Sequence, residues 1–207
     1  MSQELWVGIE VARDLRLRDG ALLGAGSLCV GGVNLLRHQV GIALRLAPAE
    51  RVCLLSVQPD EELLRVAAEN DLRELPPLDF VAMLRDRFRA GSRGVLVLLR
   101  QLVPLRSEAP VRRALEQAGA SPALVSTSRP PAGHPRHQPL PGESEPDYRC
   151  LAFEVRRLGE QGPAFEIEDV PAHVDWEDFV EIIHPRDEAE AARRLASWDD
   201  SAPPGAC

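Results

Sequence analysis

Apolar runs alternate with segments of helical periodicity along most of this chain. The runs "LWVGIEVA" (5–12), "RVCLLSV" (51–57), "GVLVLL" (94–99) and "ALVSTS" (123–128) predict four strands. They are apolar nearly throughout rather than alternating, which is the pattern of strands covered by helices on both faces. Between them, "NLLRHQVGIALRL" (34–46) places Leu35, Leu36, Val40, Ala43 and Leu44 on one helical face, behind Asn34 as a capping side chain. "DEELLRVAAENDL" (60–72) opens with three carboxylates, which suit the positive end of a helix. "LDFVAMLRDRFRA" (78–90) and the segment 111–118 predict two more helices, and 187–198 a last one. Strands alternating with helices predict an α/β fold, with a mostly parallel sheet in the middle of three layers.

Residues 1–200 are expected to form one domain, since no repeat and no second composition class interrupts them. Within it, "RPPAGHPRHQPLPGESEPDY" (129–148) carries too many prolines and glycines for regular structure, and predicts a long loop that is either a substrate lid or a plain mobile connection. The apolar pattern resumes at "CLAFEV" (150–155) and "AFEIEDV" (164–170), and 201–207 reads as a flexible tail.

Composition narrows the chemistry. At 207 residues and 44 % apolar, the chain has material for a real core. No apolar run approaches the ~20 residues of a membrane helix, and the first residues do not resemble a signal peptide, so a cytoplasmic protein is expected. The formal net charge of −8 argues against a general nucleic-acid binder, which needs a basic face to meet phosphates. The four cysteines (Cys29, Cys53, Cys150 and Cys207) are scattered, so reduced thiols are expected rather than a zinc site. All 24 residues counted as Lys or Arg are arginine, and no step of any mechanism here can use a lysine ammonium.

Three places carry candidate chemistry. In an open α/β sheet, ligands bind beyond the carboxyl ends of the strands. Pro104, Leu105 and Arg106 follow such an end; Arg106 is either an anion clamp, offering two parallel N–H bonds to a carboxylate, or an exposed arginine ahead of a helix. The turn Gly24-Ala25-Gly26-Ser27 offers backbone N–H groups of the kind that cradle phosphate, and is equally an ordinary turn. The five histidines (His38, His134, His137, His173 and His184) have no Ser or Cys partner at a recognisable spacing, so none is expected to act as a general base.

The order of these pieces resembles the acylneuraminate cytidylyltransferase family, within the nucleotidyltransferases of GT-A-like fold. "VGIEVAR" is similar to that family's first strand ending in Ala-Arg. "GGVNLLRHQVGIAL" is similar to its Gly-Gly-Lys-Pro-Leu-Leu stretch and the helix after it. "VLVLLRQLVPLRSEAPVRRAL" resembles the strand ending Gln-Pro-Thr-Ser-Pro-Leu-Arg, and "FVEIIHPRDEAEAARRL" the closing Asp-Ile-Asp-Thr-Pro-Glu-Asp segment and last helix. The resemblance implies CTP and an acidic sugar as ligands, Mg²⁺ bridging the phosphates, a homodimer, Arg13, Gly24, Gly26 and Ser27 on the nucleotide, Arg106 on the sugar, and Glu181 and Asp187 on the metal.

The departures fall on that chemistry. The family's triphosphate-binding lysine is missing, leaving Arg13. Its Gln-Pro-Thr-Ser becomes Arg100-Gln101-Leu102-Val103, replacing polar groups by bulk. Its paired aspartates become Glu181 and Ile183, and an isoleucine cannot bind a cation; Asp175 and Asp178 lie close by, in what also reads as a solvated turn. Asp187 equally suits a helix N-cap. The expectation is therefore a degenerate, non-catalytic nucleotidyltransferase relative acting as a binding or assembly partner. The alternative is an active, divergent cytidylyltransferase moving CMP from CTP to an acidic sugar with Mg²⁺.

Overall fold

The structure is a computed structural model, and it describes residues 4–12, 15–16, 22–23, 25–88, 93–117, 123–128, 150–159, 162–163, 171–182 and 188–198. Chain order begins with β1 (Glu4–Glu10) and the short ribbon strands β2 (Leu15–Arg16), β3 (Leu22–Leu23), β4 (Cys29–Val30) and β5 (Val33–Asn34). It continues with α1 (Leu35–Leu46), β6 (Val52–Leu55), α2 (Glu61–Glu69), β7 (Arg73–Leu75), α3 (Pro77–Phe88), β8 (Gly94–Arg100) and α4 (Ala109–Gln117). Then come β9 (Ala123–Ser128), β10 (Cys150–Gly159), β11 (Gly162–Pro163), β12 (Pro171–His173) and α5 (Glu188–Ala196).

One eight-stranded sheet runs in the order β12-β9-β10-β8-β1-β6-β7, with β11 paired to β10. Strands β7, β6, β1 and β8 are parallel neighbours, β12 is parallel to β9, and β10 runs antiparallel to β8, β9 and β11. The mostly parallel sheet expected from the apolar runs is therefore present, with β10 as the reversed element. Alternate side chains enter two cores. Val7, Ile9, Val52, Leu54, Val97, Leu99, Phe153 and Val155 pack with α1, α2 and α4. Trp6, Cys53, Leu55, Leu96 and Leu158 pack with Phe80, Leu84 and Phe88 of α3. A third cluster joins Leu28, Val30 and Leu35 to Val180, Ile182 and to Ala191, Leu195 and Trp198 at the chain's last described helix.

Local chemistry sets several boundaries. Asn34 caps α1 by accepting from the Arg37 N–H (2.9 Å), and Asp60 caps α2 by accepting from the Leu63 N–H (2.7 Å). Gly31 and Gly32 form the two-residue turn between β4 and β5, both with positive φ (60° and 82°), a conformation other residues resist. A Cβ on Gly31 would also lie 2.8 Å from the Ala192 carbonyl, so this hairpin closes directly on α5.

Some expectations shift. The second strand is shorter than its apolar run, ending at Leu55, the last residue paired with β7, opposite Leu75. Strands β7 and β12 were not expected; each is three residues long and too short for a period to show. Cys53 is a buried free thiol pushed up to about 11 by burial, but Cys29 is disulfide-bonded, which overturns the expectation of reduced thiols throughout. The 129–148 loop, the run at 164–170 and the tail at 201–207 lie outside the described residues. Among the described residues no helix is long and apolar enough to cross a membrane.

Candidate functional site

The carboxyl ends of β1 and β8 lie side by side, with Glu10 opposite Arg100 in the register. Beyond that pair the two segments are held together by a backbone bond and by polar side chains. The Gln101 N–H donates to the Glu10 carbonyl (3.0 Å), and Gln101 Oε1 accepts from the Ala12 N–H (3.0 Å). On the α1 side, fully buried Gln39 donates through Nε2 to the carbonyls of Arg100 (2.7 Å) and Val103 (3.1 Å). These bonds satisfy backbone groups that the end of the strand would leave orphaned in an apolar setting.

The segment after this turn is paired with the closing segment. The Ile182 N–H donates to the Leu102 carbonyl (2.9 Å), Val180 to Pro104 (3.0 Å), and Arg106 to Asp178 (2.7 Å). Leu105 faces Phe179 as a bridge, and Val103, Leu105, Phe179, Val180 and Ile182 are buried. His38 of α1 adds a third tie, with Nε2 2.6 Å from the Leu105 carbonyl and its ring stacked on Trp198 at 6.0 Å and 29°. A ring N–H donating to a carbonyl makes Nε2 the protonated nitrogen of the neutral ring. Arg194 of α5 donates to the Phe179 carbonyl (2.7 Å).

Burial holds the His38 imidazole below its ordinary range; Arg45 adds to this and the bond to Leu105 opposes it. The unfolded chain therefore binds the proton more readily than the folded one. His38's contribution is fully present above about pH 6.5 and falls away as the pH drops below that. Urea midpoints measured from pH 7.5 to 5.0 are expected to decline for the wild type and to decline less for His38→Gln. Parallel declines would remove His38 as the cause.

A second constellation occupies the other face of the sheet, above the α3 core. The Arg100 Nη2 donates to Glu154 Oε1 (3.0 Å), and Arg100 Nε lies 3.4 Å from Glu10 Oε2. Arg156 donates through Nε to Glu154 Oε2 (2.8 Å) and through Nη2 to the same oxygen. The Glu154 side chain is 8 % exposed and that of Glu10 45 %, so the cluster opens to solvent at the ends of the strands. Partial burial raises the Glu10 carboxyl; Arg100 and Arg156 oppose this, and Glu154 adds to it.

The residues singled out in the sequence are only partly described. Arg13, Gly24 and Asp187 lie outside the described residues. Gly26 is buried, and its N–H is committed to Asp60 Oδ2 (2.8 Å); a Cβ there would lie 2.5 Å from both Asp60 Oδ1 and the Leu63 nitrogen. The turn thus packs on the start of α2 with a carboxylate against it, and does not present the Gly26 amide as a free donor. Ser27 is exposed. Arg106 is exposed, and its side chain makes no ion pair among the described residues. Glu181 is half-buried beside buried Val180 and Ile182, and Asp178 pairs with Arg113 (2.9 Å). Pairing of 102–106 with 178–182 brings Arg106 and Glu181 onto neighbouring strands, but Glu181 lies opposite Val103 rather than Arg106.

Sequence reasoning missed Glu10, Gln39 and Glu154, and treated Arg100 and Gln101 as bulk. The structure assigns that bulk to Leu102 and Val103, while Arg100 and Gln101 make polar contacts. A signal was present for one of them: Glu154 follows the apolar stretch LAF and precedes Val155 in β10, and a buried carboxylate is costly unless a partner charge is built in.

Asp187, one of the two residues the resemblance implies for Mg²⁺, lies outside the described residues, and the described carboxylates near the strand ends are engaged. Magnesium needs carboxylate oxygens free to meet it. Glu154 is held by two arginines, Glu10 lies against one, Asp178 pairs with Arg113, and Asp60 accepts two backbone N–H groups. Among the described residues no group of three or more His, Cys, Asp or Glu is placed to hold a metal.

No protein-family model and no curated protein matches the chain. Solved structures do. A 4-diphosphocytidyl-2C-methyl-D-erythritol synthase superposes with a TM-score of 0.62 at 14 % identity, covering 94 % of this chain and 100 % of that one. The corresponding synthase from Anaerococcus prevotii gives 0.60 at 12 % identity, covering 94 % and 99 %. The 2-C-methyl-D-erythritol 4-phosphate cytidylyltransferase from Thermus thermophilus gives 0.52 at 21 % identity, covering 94 % and 100 %. None of these is an acylneuraminate enzyme. At such identities the likeness concerns the fold, and the fold of this chain is that of the cytidylyltransferases.

Proposed function

We propose that this chain is a degenerate nucleotidyltransferase relative that keeps the fold and an arginine-based anion site in the crevice but does not transfer a nucleotidyl group. The observation that supports this most is the engagement of four described carboxylates: Glu154, Asp178 and Asp60 bond to arginines or to backbone N–H groups, and Glu10 lies against Arg100. Half-buried Leu102 and buried Val103, at positions where the resembled family keeps polar groups, support the same reading. Among the described residues, this reading assigns Arg100 and exposed Arg106 to a nucleotide's phosphates or a sugar's carboxylate. CTP is the probe to use, because the resembled family and the structural neighbours are both named for cytidylyl chemistry.

Calorimetry is expected to give a CTP dissociation constant weaker than about 10 µM, roughly −7 kcal/mol. Arg106→Ala is expected to weaken that binding by about 1.5–3 kcal/mol, the worth of a charged hydrogen bond, without lowering the melting temperature. CTP mixed with an acidic sugar or with 2-C-methyl-D-erythritol 4-phosphate, in Mg²⁺, is expected to release no pyrophosphate above the rate without protein. Release would establish the alternative, an active and divergent cytidylyltransferase. Binding tighter than about 10 µM would show a fuller phosphate site than this reading allows.

Pairing of two copies through the 150–170 region belongs to the same reading, as the resemblance implies. Sedimentation at tens of micromolar is expected to show a dimer, and a monomer throughout would remove this part.

A further inference from the structure

We propose that the Arg100 guanidinium, set between the carboxylates of Glu10 and Glu154, stands in for a divalent cation, so that anions bind in the crevice without metal. The place itself is the first argument. Glu10 and Arg100 are register partners at the carboxyl ends of the two central parallel strands, and Glu154 projects from the adjacent antiparallel strand on the same face. Ligands of open α/β sheets are met at such ends. Two carboxylates converging there form the kind of oxygen set that holds Mg²⁺. Here the space between them is filled by a side chain of the protein, with Arg100 nitrogens at 3.0 Å from Glu154 Oε1 and 3.4 Å from Glu10 Oε2.

The second argument is charge. Glu154 is nearly fully buried, and a buried carboxylate needs a permanent counter-ion. A metal supplies one only while bound. A guanidinium stays protonated at any pH of interest and cannot dissociate. Arg156 covers the other oxygen of Glu154, so Arg100 does not need all its donors for that residue. The Arg100 side chain is 33 % exposed, and its Nη1 makes no hydrogen bond among the described residues. It therefore has N–H groups to offer a phosphate or carboxylate arriving from solvent. One positive charge in place of two also accounts for the weak nucleotide binding expected above, the reading on which this inference rests.

The test has two arms. In calorimetry, wild-type protein is expected to bind CTP equally, within about twofold, in EDTA and in excess Mg²⁺, and Arg100→Ala is expected to bind it at least tenfold more weakly in EDTA. In the second arm, free Mn²⁺ is followed by its paramagnetic resonance signal without nucleotide. Wild type is expected to take up none. Arg100→Ala, which frees Glu10 and the Oε1 of Glu154 while Arg156 keeps Oε2, is expected to take up one ion per chain, and Arg100→Ala/Glu10→Gln to lose it. Arg100→Met keeps the apolar stem and replaces Ala if circular dichroism shows that Ala does not fold. Mn²⁺ uptake by the wild type, or none by either Arg100 variant, overturns the proposal. CTP binding that needs Mg²⁺ also overturns it, while leaving the nucleotide reading intact. Absence of CTP binding under both conditions overturns the nucleotide reading instead, and the Mn²⁺ arm then decides the present proposal.

Discussion

Replacing Phe179 by alanine is expected to cost about 3–5 kcal/mol of folding stability, the range for removing a large side chain from a fixed core. Phe179 is fully buried although it lies in an irregular segment between β12 and α5. It bridges to Leu105, its carbonyl accepts from Arg194, and its neighbours Asp178 and Val180 bond to the backbone of Arg106 and Pro104. The cavity cannot collapse easily, because the backbone on both sides is pinned and Leu105 is tied to His38. For a chain of this size the melting temperature should fall by roughly 10 °C. A loss below about 1 kcal/mol in urea unfolding would mean that the closing segment docks on the sheet more loosely than its hydrogen bonds imply.

Glu154→Gln is expected to cost about 3 kcal/mol, because it removes the charge shared by two arginines. Arg156 points both its Nε and its Nη2 at one carboxylate oxygen, and Arg100 takes the other. With a neutral amide there, Arg156 is left with an 18 % exposed guanidinium facing no charge on Glu154, and Arg100 keeps only the longer contact to Glu10. The double variant Glu154→Gln/Arg156→Gln is expected to be at least about 1 kcal/mol more stable than the sum of the single losses, the sign of a coupled pair. Simple additivity would show that the pair does not act as a unit.

Much of the fold was legible because the physics that makes it is local. The N-caps Asn34 and Asp60, the apolar faces of the helices and the uninterrupted runs at 52–55 and 94–99 each declare an element within a few residues. The handover after β8, through Pro104 and Leu105 to a helix, was legible as a strand end for the same reason. What it does there was not. Leu105 is buried because Phe179, far along the chain, lies against it, and no local pattern encodes a partner at that distance.

The candidate site divides in the same way. Glu10, Arg100 and Glu154 stand in three separate stretches of sequence, and only the strand order β1-β8-β10 makes them neighbours. The Gly24–Ser27 turn shows the reverse: its sequence suits phosphate, and the fold sets Asp60 against Gly26. Composition, period and capping residues by themselves determined an α/β chain with a buried, mostly parallel sheet and without a lysine for any mechanism. Only the tertiary structure decided that β10 is reversed, that the end of β8 is closed by the 178–182 segment, and that a guanidinium lies between the two carboxylates there. Propensity and periodicity act over a turn or two of chain, whereas ion pairing and side-chain packing are decided by distance in space, which a sequence does not carry until it is folded.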